Sequence, residues 1–336
     1  MPLLERRIVA CPESPLIETV PESRLSPKIR EAPVEKKVYI ITGASSGIGL
    51  ELAKILYSKH AKVYIAARSK PKALSAITSI KTSSPNSAGA LEFLPLNLAD
   101  LSTIKSSAEE FLAKEKRLDI LFNNAGVMNP PQGSKTVQGY ELQLGTNCIG
   151  TFLFTQLLTP ILLSTAKSSP PSTVRVIWVS SSAAEGLSPK GGVDMQNLGY
   201  KVEKLGMMKY GISKAGNYLH ATEFSNRYGG EGVLSIPLNP GNLDSELYRS
   251  QGGVVKWVLR KLVLYPPIFG AYTLLFAGLS DEVGKKGRDG EWVVPWGRFM
   301  KIRGDLVEAS KAKTDGGTGI ARSFWEWNEE QVKPYL

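Results

Sequence analysis

Apolar residues along this chain fall in short unbroken runs, separated by longer stretches of helical period. Residues 37–42 (Lys-Val-Tyr-Ile-Ile-Thr) form a β-branched run ending in a glycine-rich turn, and 50–57 is apolar at helical spacing. Residues 62–67 predict a second strand. A helix over 70–82 follows, with Pro71 in its first turn, where a missing N–H is tolerated. The series continues with a strand at 91–96, a helix at 101–115 and a strand at 118–123. A long helix over 137–165 carries Pro160 near its end, followed by a strand at 174–179, a helix at 208–227 and a strand at 232–238. Helices after 244, a short strand around 292–294 and polar C-terminal helices complete the pattern. The strand runs are apolar throughout rather than alternating, as burial on both faces requires. Strands alternating with helices predict βαβ units, and hence a single α/β domain: a doubly wound parallel sheet with helices on both faces.

Residues 1–36 stand outside this pattern. They are rich in proline and charge and predict an N-terminal extension, extended or disordered. The alternative is an arm packed on the body through Leu3, Leu4, Ile8, Val9, Leu16 and Ile17. No secretory or mitochondrial leader is read in them. The domain proper is expected over 37–336. The longest apolar stretch, 254–279, contains Lys256, Arg260, Lys261 and the pair Pro266-Pro267. Those charges and the proline break exclude a spanning helix; a lid or buried helix pair is expected, with membrane contact at most peripheral.

Composition narrows the function classes. A chain of 336 residues with 42% hydrophobic and 21% charged content needs no covalent staples. Its net charge is +10, but lysine and arginine are interleaved with acids and no basic run or nucleic-acid motif is present. The expectation is a solvated basic surface around a pocket for an anionic ligand, and no nucleic-acid partner. Cys11 and Cys148 lie far apart, which predicts no disulfide framework and a reducing, cytoplasmic setting, at most peripheral to a membrane. His60 and His220 form no metal-ligand spacing, so no metal is expected. A Ser-His-Asp hydrolase is disfavoured unless one of these two serves as its base.

Chemistry enters at the first strand–helix junction. Thr42-Gly-Ala-Ser-Ser-Gly-Ile-Gly49 places glycines at 43, 47 and 49 between strand and helix. Such glycines permit a tight turn and close approach of backbone to a pyrophosphate, which rests on the unpaired N–H groups of the helix start. Gly43, Ser45, Ser46, Gly47, Ile48 and Gly49 are the candidate cofactor residues, and the fold is Rossmann-type. An acid at the end of the second strand would bind the ribose hydroxyls of NAD. This strand ends in Ala67-Arg68-Ser69, and the planar Arg68 cation, assisted by Lys72, suits the 2′-phosphate of NADP. The alternative is a surface arginine and an enzyme that accepts both cofactors.

Tyr210 and Lys214 are four apart on a predicted helix and share a face. A free phenol is a poor base at neutral pH, and a neighbouring cation stabilises its phenolate. With the glycine turn, Asn123-Asn-Ala-Gly126, Asn147, Ser181, Tyr210-Gly-Ile-Ser-Lys214 and Pro240-Gly241, the chain resembles the short-chain dehydrogenase/reductase superfamily over roughly 37–295. The wider pattern looks most like its retinol-dehydrogenase-like members.

The resemblance implies the remaining roles. Asn124, Ala125 and Gly126 belong to the cofactor site, as do Gly241, Leu243 and Ser245 after the sixth strand, where serine replaces the family's threonine. Asn97-Leu98 stands where the family carries aspartate against the adenine; an amide oxygen can accept that bond without charge assistance. Tyr210 exchanges a proton with the substrate oxygen. Lys214 tunes it and holds the nicotinamide ribose, and Asn147 holds a relay water; the alternative for Asn147 is a polar residue satisfied by backbone. Ser181 polarises the carbonyl, with Ser180 and Ser182 as alternatives.

About 29 residues separate Ser181 from Tyr210, more than compact members of the family need. The segment 186–208 holds Leu187, Tyr200, Leu205, Met207 and Met208. Together with 244–280, including Tyr248, Trp257, Leu262 and Tyr265, it predicts an apolar substrate lid; the alternative is ordinary core packing. The expected function is hydride transfer between NADPH and a lipophilic ketone or aldehyde, such as a polyketide, terpenoid or retinoid-like intermediate. Two other readings stand beside it: a non-catalytic NADP-sensing or scaffold protein, and a membrane-associated retinol-type alcohol dehydrogenase. A homo-oligomer is left open.

Overall fold

The computed structural model describes residues 36–244, 264–285 and 291–336. Its centre is an eight-stranded sheet in the order β3-β2-β1-β4-β5-β6-β7-β8. The strands are β1 (Val38–Thr42), β2 (Lys62–Ala67), β3 (Ala90–Pro95), β4 (Ile120–Asn123), β5 (Val174–Val179), β6 (Val233–Leu238), β7 (Glu291–Val294) and β8 (Arg298–Lys301). All pairs from β3 to β7 are parallel; β8 returns antiparallel on β7 and was not anticipated from the pattern. The unbroken apolar runs follow from double burial. Tyr39, Ile41, Val63, Ile65, Phe122 and Ile177 face one helical layer, while Val38, Ile40, Tyr64, Leu121, Val176 and Trp178 face the other.

The first layer contains α1 (Gly47–Ser58), α2 (Lys70–Ser83) and α7 (Pro267–Leu279). The second contains α3 (Leu101–Lys114), α4 (Leu142–Lys167) and α6 (Gly206–Tyr228). A short α5 (Ala183–Gly186) follows β5, and α8 (Asp281–Lys285), α9 (Gly304–Ser310) and α10 (Ile320–Val332) complete the numbering. The C-terminal helices differ from their polar reading. Phe324, Trp325 and Val332 of α10 are fully buried, with Phe324 in parallel stacking on His220 of α6. An amphipathic helix with a narrow apolar stripe has a polar average, which hides the stripe.

The long fourth helix begins at Leu142 rather than 137. Residues Lys135 and Glu141 bridge across a tight turn at Gly139, and the Glu141 carboxylate then caps the helix by accepting the Gln143 and Leu144 N–H groups. Residues 145–150 form a π-turn within α4, placing Asn147 at a local widening of the helix. Among the described residues α4 is the one helix long and apolar enough to cross a membrane, but 72% of its apolar window is buried inside the protein, as befits a core helix.

β1 pairs with β2 on one side and β4 on the other, so the chain reverses winding direction there. A crevice therefore opens at the carboxyl ends of β1 and β4, between the turns that follow them.

Candidate active site

The turn after β1 is shaped by close contacts. Gly43 has φ +70°, and a Cβ there would lie 3.0 Å from the Ala125 Cα. A Cβ on Gly49 would lie 2.8 Å from both the Asn124 Nδ2 and the Gly43 carbonyl oxygen. Thr42 ties this turn to the end of β4: its Oγ1 accepts the Asn124 and Ala125 N–H groups, each at 2.9 Å, and donates to the Phe122 carbonyl. Asn124 Nδ2 donates to the Thr42 carbonyl at 2.8 Å. Asn124 thus braces the turn. Ser46 is the N-cap of α1 but makes no side-chain cap bond, so the first N–H groups of the helix face the crevice uncapped. A pyrophosphate fits this turn by its close backbone and uncapped helix start.

Around the crevice, Arg68 is exposed where β2 ends, and Lys70 and Lys72 occupy the first turn of α2, which is capped by Ser69. Lys70 was not singled out from the sequence, because a surface lysine at a helix start carries no distinguishing signal. Asn97 is half-buried, and its Oδ1 accepts the Ala99 N–H at 3.2 Å. Leu98 is buried against Gly150 of α4, where no side chain would fit. On the far side, Gly241 adopts φ +96° and its N–H donates to Asn239 Oδ1 at 3.0 Å, while buried Leu243 pairs with Tyr265. Ser245 lies outside the described residues, as do Tyr248, Trp257 and Leu262.

Gly126, Asn147 and Lys214 converge beyond β4. A Cβ on Gly126 would sit 3.2 Å from Asn147 Oδ1 and 3.4 Å from Lys214 Nζ. Asn147 is completely buried. Its Oδ1 accepts the Val127 N–H at 2.8 Å, and its Nδ2 donates to the Val127 carbonyl at 3.0 Å and to Ser213 Oγ at 2.9 Å. Both amide hydrogens are therefore committed to protein, and one Oδ1 lone pair is left for a water.

Lys214 Nζ donates to the Val179 carbonyl at 2.8 Å, and Asn217 Nδ2 donates to the same oxygen at 3.1 Å. The ammonium lies 5.7 Å from the centre of the Tyr210 ring, and Tyr210 is itself buried. Burial pushes the Lys214 pKa down to about 8. Burial pushes the Cys148 thiol up, so it is a neutral donor to the Ser213 carbonyl.

The three serines after β5 separate clearly. Ser180 is buried and donates to the Lys214 carbonyl at 2.7 Å, stitching α6 to the strand end. Ser181 is half-buried, and its Oγ accepts the Ala183 N–H at 3.2 Å, which leaves its O–H free to turn. Ser182 makes no side-chain cap bond to α5. Among the described residues, neither histidine is hydrogen-bonded to a serine side chain. His220 sits among Phe152, Trp178 and Phe324 with neither ring nitrogen hydrogen-bonded, and burial lowers its pKa to about 3. His60 accepts the Ala88 N–H at the surface.

The segment 186–208 divides into packed and exposed parts. Leu187 packs against Gly211 of α6, and Tyr200 is buried with its ring under the Lys209 ammonium at 5.2 Å. Lys209 is held by Glu203 at 2.5 Å. Val202, Leu205, Met207 and Met208 remain exposed around the start of α6. Arg303 was missed altogether. It bonds the Glu185, Ser188 and Pro189 carbonyls and pairs with Asp305, clamping the loop behind Ser181 onto α9. Its carbonyl partners lie 114 to 118 residues away, so no local pattern could reveal the clamp.

Known proteins share this arrangement. The short chain dehydrogenase family profile matches residues 37–193. A short-chain dehydrogenase/reductase of Phomopsis amygdali is 57% identical over 303 residues, covering 89% of this chain and 90% of that protein. The short-chain dehydrogenase/reductase pkfC of Emericella nidulans is 51% identical over 302 residues, covering 89% and 94%. Among solved structures, 3-ketoacyl-(acyl-carrier-protein) reductase from Brucella melitensis, complexed with NADH, matches with a TM-score of 0.58 at 21% identity, covering 76% of this chain and 95% of that one. The Pseudomonas aeruginosa RhlG/NADP complex matches with the same TM-score and identity, covering 76% and 93%. At that identity the structures speak for the fold, and the fold implies a nicotinamide cofactor. With the sequence relatives, the glycine turn and the convergence on Lys214, the conclusion is that this chain belongs to the short-chain dehydrogenase/reductase family, oxidoreductases acting on CH–OH and C=O groups.

Proposed function

We propose that this enzyme is an NADP-dependent carbonyl reductase for lipophilic ketones or aldehydes, with a polyketide- or terpenoid-like intermediate as the natural substrate. The observation that carries the reading is the buried Lys214 ammonium beside Tyr210, at the mouth of a crevice edged by Arg68 and the uncapped start of α1. Arg68, with Lys70 and Lys72, supplies positive charge where a 2′-phosphate would lie, and the loop 66–72 contains no acid to repel it. Gly43, Ser45, Ser46, Gly47, Ile48 and Gly49 receive the pyrophosphate; Asn97 and Leu98 receive the adenine; Gly241 and Leu243 edge the nicotinamide side, and Ser245 is assigned to it from the sequence alone.

When bound, the nicotinamide supplies the hydride. Tyr210 donates its phenolic proton to the substrate oxygen as negative charge develops there. Ser181 donates a second hydrogen bond to that oxygen and fixes its direction. Lys214, kept cationic at neutral pH, favours the phenolate left on Tyr210 and so makes proton release easier. Asn147 holds the 127 backbone and, through its remaining lone pair, a water that returns the proton. The exposed Val202, Leu205, Met207 and Met208 offer an apolar surround that favours a lipophilic substrate.

The test is a panel of lipophilic carbonyl compounds followed by NADPH absorbance. Tyr210→Phe is expected to lower kcat by roughly 10²–10⁴ with NADPH affinity retained. Full activity in Tyr210→Phe, or no turnover by a folded, NADPH-binding protein, would overturn the catalytic reading.

A further inference from the structure

We propose that Gln143 is a positioning residue that sets the width of the substrate cleft by tying the loop after β4 to the first turn of α6. The proposal rests on the reading of Tyr210 as the proton donor, because Tyr210 follows that first turn directly on the same helix. Gln143 is 1% exposed, and every polar atom of its amide is committed. Its Oε1 accepts the Asn129 N–H at 2.8 Å. Its Nε2 donates to the Gly206 carbonyl at 3.0 Å and to Glu141 Oε1 at 3.2 Å.

The Glu141 contact fixes which way the amide points. A carboxylate only accepts, so it selects the NH₂ end and turns the carbonyl oxygen toward Asn129. Glu141 is itself immobilised, because its other oxygen caps α4 through the Gln143 and Leu144 N–H groups at 2.9 and 2.8 Å. The bridge is therefore anchored on a helix end, and both its arms reach backbone rather than flexible side chains.

The two walls it joins flank the proposed chemistry. Residues 127–130 continue directly from Gly126 and are held on their other side by Asn147. Gly206 lies four residues before Tyr210 on α6, one helical turn away. The walls also touch. A Cβ on Gly206 would run into the Asn129 Oδ1, and Asn129 holds a left-handed φ of +45°. The hydrogen bonds thus pull the walls together while the bare Gly206 Cα sets the closest approach. Removing the tie lets the walls separate; adding a methyl group at 206 forces them apart.

The experiment combines kinetics with hydrogen exchange on the full chain. NADPH affinity is measured by fluorescence. Kinetics use 2-butanone and 2-nonanone as short and long probes. Gln143→Met keeps length and removes both polar arms. It is expected to raise KM for 2-nonanone about tenfold, as for loss of paired buried hydrogen bonds, with kcat and NADPH affinity changed less than about twofold. Amide exchange is expected to accelerate at 127–129 and 204–209 and not in α1. Gly206→Ala, which keeps every hydrogen-bonding group, is expected to shift the kcat/KM ratio of long over short ketone by about fivefold or more.

Unchanged exchange at both walls overturns the proposal. So does a loss of NADPH affinity in parallel with KM, which marks general unfolding. If Gln143→Met does not fold, an unchanged ratio in Gly206→Ala overturns it. If the parent protein turns over neither ketone, the carbonyl-reductase reading suffers while the exchange arm still decides the tie.

Discussion

The two sides of the crevice are built by different means. On the β1–β4 side the site is backbone: positive-φ glycine, an uncapped helix start and the Thr42–Asn124 brace. On the β5–α6 side it is a mesh of side chains. Ser180 holds the Lys214 carbonyl, Lys214 and Asn217 share the Val179 carbonyl, and Asn147 reaches Ser213. The first side is mostly main chain of one turn, held to the end of β4 by the Thr42–Asn124 brace. The second is a charged, desolvated machine whose properties depend on what packs around it.

Replacing Lys214 by Met separates the two most sharply. The second side loses its charge, and kcat is expected to fall by roughly 10²–10⁴. The protein without cofactor is expected to become more stable at pH 7, because a buried ammonium is removed while Asn217 still satisfies the Val179 carbonyl. The pH dependence has a definite sign. The folded pKa is about 8 and the ordinary value 10.5, so below about pH 8 both folded and unfolded chains carry the proton and the burial penalty is fully present. Between these values the unfolded chain binds the extra proton, and stability rises with pH by up to about 3 kcal/mol. Urea titrations at pH 7 and pH 9.5 are expected to show the advantage of Lys214→Met shrinking at the higher pH.

Gly49→Ala strikes the first side instead. Its Cβ would press on Asn124 Nδ2 and on the backbone of 43 and 44. A loss of about 1–3 kcal/mol is expected in stability, with a comparable loss in cofactor binding, read by thermal unfolding and NADPH fluorescence. The smallest expected effect sharpens the comparison most. Arg68→Ala is expected to weaken NADPH about tenfold and leave NADH nearly unchanged, measured as the ratio of their kcat/KM values. Equal losses for both cofactors would remove the 2′-phosphate role.

Legibility in the sequence follows the same division. β2 and β5 begin and end where their apolar runs do, because a strand buried on both faces writes its length directly into composition. The fourth helix was placed five residues early. Its start depends on Glu141 folding back to cap it after the 135–141 turn, a choice between two equally helix-compatible beginnings. Within the site, Tyr210 and Lys214 were readable because helix period puts them on one face. Ser180 and Ser181 looked alike until α6 docked, when one hydroxyl was taken by the Lys214 carbonyl. The apolar residues of 186–208 also looked alike, yet Tyr200 and Leu187 packed inward while Leu205 stayed outside.

The sequence by itself therefore determined the parallel α/β sheet, the phosphate turn and the Tyr210–Lys214 pair. Each is set by residues within a few positions of one another, whose periodicity and backbone preference act locally. Only the tertiary structure decided the charge environment of Lys214, the division of labour among the serines, the Arg303 clamp and the Gln143 bridge. Those join residues 14 to 118 positions apart, and burial, hydrogen bonding and desolvation exist only once the elements have packed.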